Sequence, residues 1–381
     1  MSSVSGPEAK SVELASVAIV GSGLIGTSIG LALSRAGIET FLEDADPAQR
    51  DLAVAMGAGQ PWSGERVTHA VVAIPPAMVA SELLSLLDRD LAETFSDVSS
   101  VKTQSLAEIQ TIGRNRGLDV SRICLAHPVA GRERGGATSA QTDLFRDRPW
   151  VLCPSAGTSA LAVGHARAVA EAAGAFTVEI EAAAHDALLA RISHVPQLVS
   201  SATAAALGDL SAEQAGVAGQ GARDVIRLAG SDPRLWGEIV AANAPAVAAA
   251  LGPVVTDLQR ILDACRDSTL GGSKEVAARV GNLVSRGQQG RANLPAKPGA
   301  APTPWTVVDI VVPDRPGELA RLLTVVGEAG INVEDLEVEH GHSQPAGVLH
   351  LSVMPDSVDR LVDIATQNGW HCTPRNIDVA I

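Results

Sequence analysis

Gly21-Ser22-Gly23-Leu24-Ile25-Gly26 follows the short apolar run Val17-Ala18-Ile19-Val20 and opens a stretch with apolar helical spacing. Strand, glycine turn and helix start therefore arrive in the order that a dinucleotide-binding βαβ unit requires. Gly21 permits the tight turn, Gly23 lets backbone approach a pyrophosphate, and Gly26 lets the helix pack on the strand. The amides of Leu24 and Ile25 then meet the phosphates at the positive end of the helix dipole. Eighteen residues past Gly26, after the strand-like Ile38-Glu39-Thr40-Phe41-Leu42, stands Asp44. A carboxylate there accepts hydrogen bonds from the adenine ribose and repels a 2′-phosphate, which predicts NAD rather than NADP.

At 381 residues the chain exceeds what one core usually covers, so two or three domains are expected. A formal charge of −14 argues against nucleic acid and anionic membranes as partners, and any anionic substrate must be held by local arginines against that mean field. The four cysteines (Cys124, Cys153, Cys265, Cys372) lie far apart with no Cys/His ligand spacing. That pattern suits reduced cytoplasmic thiols and predicts no metal site. Leu14 to Ser34 carries no charge and has the length of a membrane span, but its glycines, its serines and the lack of a basic flank fit strand, turn and helix better.

Further along, Thr68–Ile74 reads as a buried strand stopped by Pro75-Pro76, and later candidates are Thr94–Val98, Ile123–Ala126, Trp150–Cys153 and Phe176–Ile180. Helical patterns at Met78–Leu87 and Ala160–Ala173 separate them, so residues 1–182 predict an α/β, doubly wound, mostly parallel sheet of Rossmann type. Residues 183–285 show Ala/Leu-rich helical patterns and no strand, predicting an all-helical domain that packs against a second subunit. Residues 286–304 read as a linker. Residues 305–381 follow a β-α-β-β-α-(β) order, the ferredoxin-like α+β pattern.

Four segments gather chemistry. Asp97-Val98-Ser99-Ser100-Val101-Lys102 and His127-Pro128-Val129-Ala130-Gly131-Arg132-Glu133 each follow a strand and should reach the carboxyl edge of the sheet, where ligands bind in open α/β folds. The helical domain adds Ser193-His194-Val195-Pro196 and Gly221–Arg227, followed by Asp232-Pro233 and Trp236. Singly, each has an ordinary structural role: Ser100 a helix cap, His127 a strand-end residue, His194 a core histidine, Arg227 a solvated charge. Together they supply a hydroxyl, two imidazoles, a carboxylate and a guanidinium.

Taken in order, GSGLIGTSIGLAL, DVSSVK, HPVAGRE, HD(x)7SHVP and GARDVIRLAGSDPRLWGEI resemble the prephenate/arogenate dehydrogenase family over nearly the whole chain. The terminal unit, with Asp314-Arg315-Pro316-Gly317-Glu318-Leu319 and Gly330-Ile331-Asn332, resembles an ACT domain. The resemblance implies NAD-dependent oxidative decarboxylation of prephenate to 4-hydroxyphenylpyruvate, or of arogenate to tyrosine, in a homodimer. It assigns His127 as base, Ser100 as its hydrogen-bonding partner and Arg227 as holder of the ring carboxylate. His194 falls beside the substrate side chain, Glu133 in the surrounding polar network, and Pro75 at the nicotinamide. Asp314–Leu319 and Asn332 are the residues it implies for an aromatic amino-acid effector. A β-hydroxyacid dehydrogenase of related architecture would carry a catalytic lysine on the helical domain, which is not seen. A sensor without turnover would be expected to lack His127 or Arg227, and both are present.

Overall fold

A computed structural model describes residues 12–130, 136–267, 270–294, 305–340 and 346–375. They divide into two units, one reaching Val276 and one beginning at Ala277. In the first, β1 (Ser16–Val20), α1 (Leu24–Arg35), β2 (Glu39–Glu43), α2 (Pro47–Ala55), β3 (Gln60–Pro61), β4 (Val67–Val72), α3 (Pro76–Asp88), β5 (Ala92–Asp97), α4 (Thr103–Arg116), β6 (Ile123–Pro128), β7 (Pro149–Cys153), α5 (Ala160–Ala172) and β8 (Phe176–Glu179) build one sheet and its helical cover. The strand order is β3-β2-β1-β4-β5-β6-β7-β8, and among its pairs only β6 with β7 is antiparallel. Chain direction across the sheet reverses at β1, so the crevice that opens beyond the strand ends lies next to Gly21.

Both faces of the sheet are covered. Val17 and Ile19 point to one side, against Ile29 and Leu33 of α1 and Val169 of α5. Ala18 and Val20 point to the other, against Leu83 and Leu84 of α3 and Ile109 of α4. A strand buried on both sides has no use for polar alternation, which explains the unbroken apolar runs.

Two polar clusters interrupt this core. His69 of β4 places Nδ1 2.7 Å from Thr94 Oγ1 and Nε2 2.8 Å from Ser96 Oγ, while Thr94 Oγ1 also meets His165 Nδ1 of α5 at 2.8 Å. Burial, reinforced by the neighbouring His165, pushes the His69 imidazole down to about 3. The second cluster closes the ends of β5 and β6. Lys102 Nζ, fully buried, pairs with the buried carboxylate of Asp97 and also donates to Ser99 Oγ (3.0 Å) and to the carbonyl of Ala126 (2.7 Å). Asp97 in turn accepts from the amides of Ala126 (2.9 Å) and Ser99 (3.0 Å). Each charge thus has several hydrogen-bonding partners, the condition under which a buried pair is tolerated.

The helical region follows as α6 (Ala182–Leu189), a π-helical turn (Ala190–His194), α7 (Val195–Ala205), α8 (Ala212–Ala215), α9 (Gln220–Ile226), α10 (Pro233–Ala242), α11 (Ala244–Arg266) and α12 (Leu270–Ala292). The π turn ends two residues before Pro196, whose ring lacks an N–H and crowds the carbonyl four residues back, within that turn, so the helix widens there. The linker expected from residue 286 starts later, because α12 runs to Ala292. Arg286, Gln288, Gln289 and Arg291 are good helix formers that leave no apolar period to read. Residues 295–304 lie outside the described residues. On α11 Val255, Leu258 and Leu262 share one stripe and remain exposed. Among the described residues no single helix is long and apolar enough to cross a membrane.

In the second unit β9 (Thr306–Pro313), α13 (Glu318–Glu328), β10 (Val333–His340), β11 (Ala346–Val353), α14 (Val358–Gln367) and β12 (His371–Pro374) form an antiparallel sheet of order β10-β11-β9-β12. Leu322 and Val326 of α13 and Leu361 and Ala365 of α14 cover Val308, Ile310, Leu349 and Leu351. This is the ferredoxin-like pattern expected of the sequence.

Two outcomes follow for stability. Lys102→Met should cost about 3–5 kcal/mol by leaving the Asp97 carboxylate buried and unpaired. The double change Lys102→Met with Asp97→Leu should cost less than the sum of the single changes, as measured by urea unfolding. Unfolding also returns His69 to the ordinary imidazole value of 6.5, so between there and about 3 the unfolded chain binds a proton that the native chain refuses. Stability should therefore fall as pH drops through that window, by up to about 1.4 kcal/mol per pH unit for this residue, and His69→Gln should flatten the slope.

Candidate active site

The carboxyl ends of β1, β2, β4, β5 and β6 share one edge because these strands are parallel. At β1 the chain turns through Gly21 at φ +105°, and a Cβ there would lie 2.3 Å from the carbonyl oxygen of Ala73. A Cβ on Gly26 would lie 1.8 Å from the carbonyl oxygen of Gly21, so the helix could not seat. Gly23 faces open space, and no side chain caps the start of α1, which leaves the Leu24 and Ile25 amides directed outward. Ser22 Oγ is buried without a hydrogen-bond partner. Asp44 binds the loop through its own oxygens, accepting from the amides of Ser22 (2.6 Å) and Asp46 (2.9 Å). A bare helix start, an orphaned hydroxyl and a carboxylate at the end of β2 fit a dinucleotide's diphosphate and ribose. Pro75 precedes α3 at the end of the β4 segment, on the same edge.

His127 lies in β6 and is buried. Its Nδ1 is 3.0 Å from Nε2 of His185, whose Nδ1 is 2.8 Å from Oδ1 of Asp186. Burial above all, then the neighbouring His185 and Lys102, hold the His127 imidazole well below its ordinary value. Asp186 is an acceptor on every side. Its Oδ1 takes the Lys102 amide (2.9 Å) and its Oδ2 the Thr103 amide (2.7 Å), at the start of α4. Burial opposes ionisation of this carboxyl, but hydrogen bonds from His185, Thr103 and Lys102 outweigh it and set its titration below the usual range.

The backbone carbonyl of Asp186 accepts from Asn243 Nδ2 (2.9 Å), and the same nitrogen stands 3.2 Å from Nδ1 of His194. Because an amide nitrogen only donates, His194 Nδ1 is an acceptor and the proton of the neutral ring is on Nε2. His194 is buried, and its ring meets Trp236 edge to face at 6.1 Å. It ends the π turn.

Not every expected residue is brought into this network. Among the described residues no hydrogen bond joins Ser100 to His127, whose Nδ1 partner is His185, and the half-exposed Ser100 remains at the loop between β5 and α4. Arg227 closes α9 and is exposed in the single chain, while the next carbonyl, that of Leu228, is held by Gln197 Nε2 at 2.8 Å. Glu133 lies outside the described residues. His185, Asp186, Asn243, Asp97 and Lys102 were given no role by the sequence reading, although all but Asn243 belong to motifs it quoted. The signal for the first two was a carboxylate directly following a histidine in the HD(x)7SHVP segment.

In the second unit Asp314, Arg315 and Pro316 form a turn into α13, which starts after Gly317 in the left-handed region at φ +88°. Glu318 pairs with Arg321 at 3.0 Å, and the Arg321 guanidinium lies 4.0 Å from the centre of the Trp370 ring. Leu319 is exposed. Asn332 does not stand across this turn: the eleven residues of α13 separate them by about 16 Å along the helix, and its amide is engaged by Glu334.

Comparison with known proteins agrees with this construction. Residues 29–179 match the prephenate dehydrogenase nucleotide-binding domain, 181–271 the prephenate dehydrogenase dimerization domain, and 306–366 the ACT domain. A Streptomyces niveus protein described as "Probable prephenate dehydrogenase NovF" is 33% identical over 357 residues, spanning 92% of this chain and 98% of the relative. The crystal structure of prephenate dehydrogenase from A. aeolicus in complex with hydroxyphenyl propionate and NAD+ shares the fold, with a TM-score of 0.62 at 22% identity, over 74% of this chain and 99% of that one. So does Synechocystis arogenate dehydrogenase, with a TM-score of 0.58 at 23% identity over 72% and 98%. Nucleotide-binding sheet, dimerization helices and terminal ACT domain occur here in one order and over nearly the full length, and the chain belongs to the prephenate dehydrogenase family.

Proposed function

We propose that the chain oxidises prephenate with NAD, releasing CO2 and 4-hydroxyphenylpyruvate, as a cytoplasmic enzyme of tyrosine biosynthesis. The observation that carries the reading is a buried, neutral His127 on the sheet edge that also holds the bare helix start at Gly23. NAD, when bound, supplies the hydride acceptor. Gly21, Gly23, Gly26, Leu24 and Ile25 hold its diphosphate through backbone, Asp44 its ribose, and Pro75 borders the nicotinamide.

His127 takes the proton of the substrate's ring hydroxyl as that carbon loses hydride and its oxygen becomes a carbonyl. The ring carboxylate then leaves as CO2, the electron pair of the broken bond enters the ring, and His127 returns the proton to the phenolic oxygen. The resemblance implies Ser100 toward the nicotinamide side and Glu133, which lies outside the described residues, as a polar neighbour. Arg227 orients the ring carboxylate, for which a planar guanidinium offers paired donors. His194 faces the side chain in this reading. With its proton on Nε2 it donates, which suits the keto oxygen of prephenate better than the ammonium group of arogenate.

The exposed Val255, Leu258 and Leu262 stripe of α11 lies within the region matching a dimerization domain, and we assign the assembly as a homodimer through this surface. The turn from Asp314 to Leu319 is the candidate cradle for an aromatic amino-acid effector, tyrosine being the simplest as pathway product. Asn332 of the same chain is too distant to share that cradle.

The reading is checked by NADH absorbance with prephenate and arogenate in parallel, with prephenate expected to give the larger kcat/KM. His127→Asn should lower kcat by roughly 10²–10⁴-fold with NAD affinity unchanged, and near-normal turnover in the folded variant would remove the assignment. Since burial keeps His127 neutral, the acid limb of kcat/KM in the wild type should fall well below pH 6.5, activity being lost only once the imidazole is protonated. Asp44→Ser should weaken NAD binding and narrow the preference over NADP, through loss of the ribose contact, of the 2′-phosphate repulsion and of the Ser22 amide bond. A wild type that already prefers NADP would contradict it.

A further inference from the structure

We propose that His185 and Asp186 form a positioning dyad that fixes which nitrogen of His127 is bare, making Nε2 the basic atom. The inference rests on the reading of His127 as base and adds to it the two groups that set its protonation pattern. Asp186 accepts two backbone amides and holds an ionised carboxylate, so the proton between it and His185 lies on His185 Nδ1. In the neutral tautomer His185 Nε2 is then a lone pair. That lone pair, 3.0 Å from His127 Nδ1, requires the His127 proton on Nδ1 and leaves Nε2 unprotonated. A free imidazole prefers the opposite arrangement, and a hydroxyl facing a ring with its proton on Nε2 would find a donor where it needs an acceptor.

The dyad resembles the orienting half of a catalytic triad in logic, with an imidazole interposed between carboxylate and base. Its placement is built in from both sides. His185 is fully buried and Asp186 nearly so, and the 75° angle between the His127 and His185 rings points the edge of one at the other. Asp186 cannot turn away without stranding the Lys102 and Thr103 amides. Neither His185 nor Asp186 touches the reacting atoms in this scheme, and both act through His127.

The test is the full-length chain with ¹⁵N-labelled histidine, observed through long-range ¹⁵N–¹H correlation at pH 7.5, where protonated and bare ring nitrogens separate clearly. His127→Asn identifies the His127 resonances by their loss. The wild type should show His127 protonated at Nδ1 and bare at Nε2. His185→Met, which fills similar space without an acceptor, should move the His127 proton to Nε2 and lower kcat at least ~10-fold, up to the ~10⁴-fold typical of a catalytic histidine in the wrong tautomer. KM for prephenate and for NAD should shift by less than about threefold, since no substrate contact is removed. His185→Gln, whose amide oxygen can accept from His127 Nδ1, should restore the wild-type tautomer and recover most of the lost kcat.

A wild-type His127 protonated at Nε2 overturns the proposal, as does a His185→Met variant that keeps full kcat. Should His185→Met fail to fold, the wild-type spectrum and the His185→Gln variant decide the matter alone. The spectrum is recorded without substrate, so it reports the dyad independently of whether prephenate is turned over.

Discussion

The carboxylate of Asp97, sealed between the ends of β5 and β6 against the Lys102 ammonium, is the constraint on which the site depends. Neither charge reaches water, so neither can move far without losing hydrogen bonds that nothing replaces. Asp97 holds the Ala126 amide and Lys102 the Ala126 carbonyl, one residue before His127, so that histidine is fixed through its own backbone. Lys102 also fixes where α4 begins, and the start of α4 is where Asp186 attaches. A single buried pair thus ties the strand that carries His127 to the start of α4, where Asp186 attaches.

Much of the fold was legible because its signals are local. Strand, glycine turn and helix at residues 17 to 35 each leave a distinct pattern, and Asp44 follows at the spacing that a βαβ unit imposes. The terminal unit was equally readable: Gly317 and Gly330 bracket the amphipathic helix Glu318–Glu328, and its neighbours alternate as strands should. The limit of α12 was not legible, since the polar composition of residues 286 to 292 serves a solvated helix as well as a linker.

The site divides in the same way. His127, His194 and Arg227 stood out as residue types in recognisable segments. Their partners did not, because partnership is a matter of three-dimensional closure: His185 reaches His127 across 58 positions and Asn243 reaches His194 across 49. Lys102 in sequence resembles any basic residue after a strand, and only the fold shows it as interior. Ser100 illustrates the converse: its motif implies a bond to His127, and among the described residues none joins the two. The Asn332 expectation failed for a metric reason, since residues 14 positions apart in sequence are set at opposite ends of one helix.

Asp186 belongs to α6, yet its side chain closes the first turn of α4, a helix of the nucleotide-binding sheet. Mechanically this is a pin joint. If the helical region swings relative to the sheet while those bonds persist, the rotation must pass through Asp186, where displacement is smallest. His185 adjoins that point in the chain, so its 3.0 Å contact with His127 is among those such a swing displaces least.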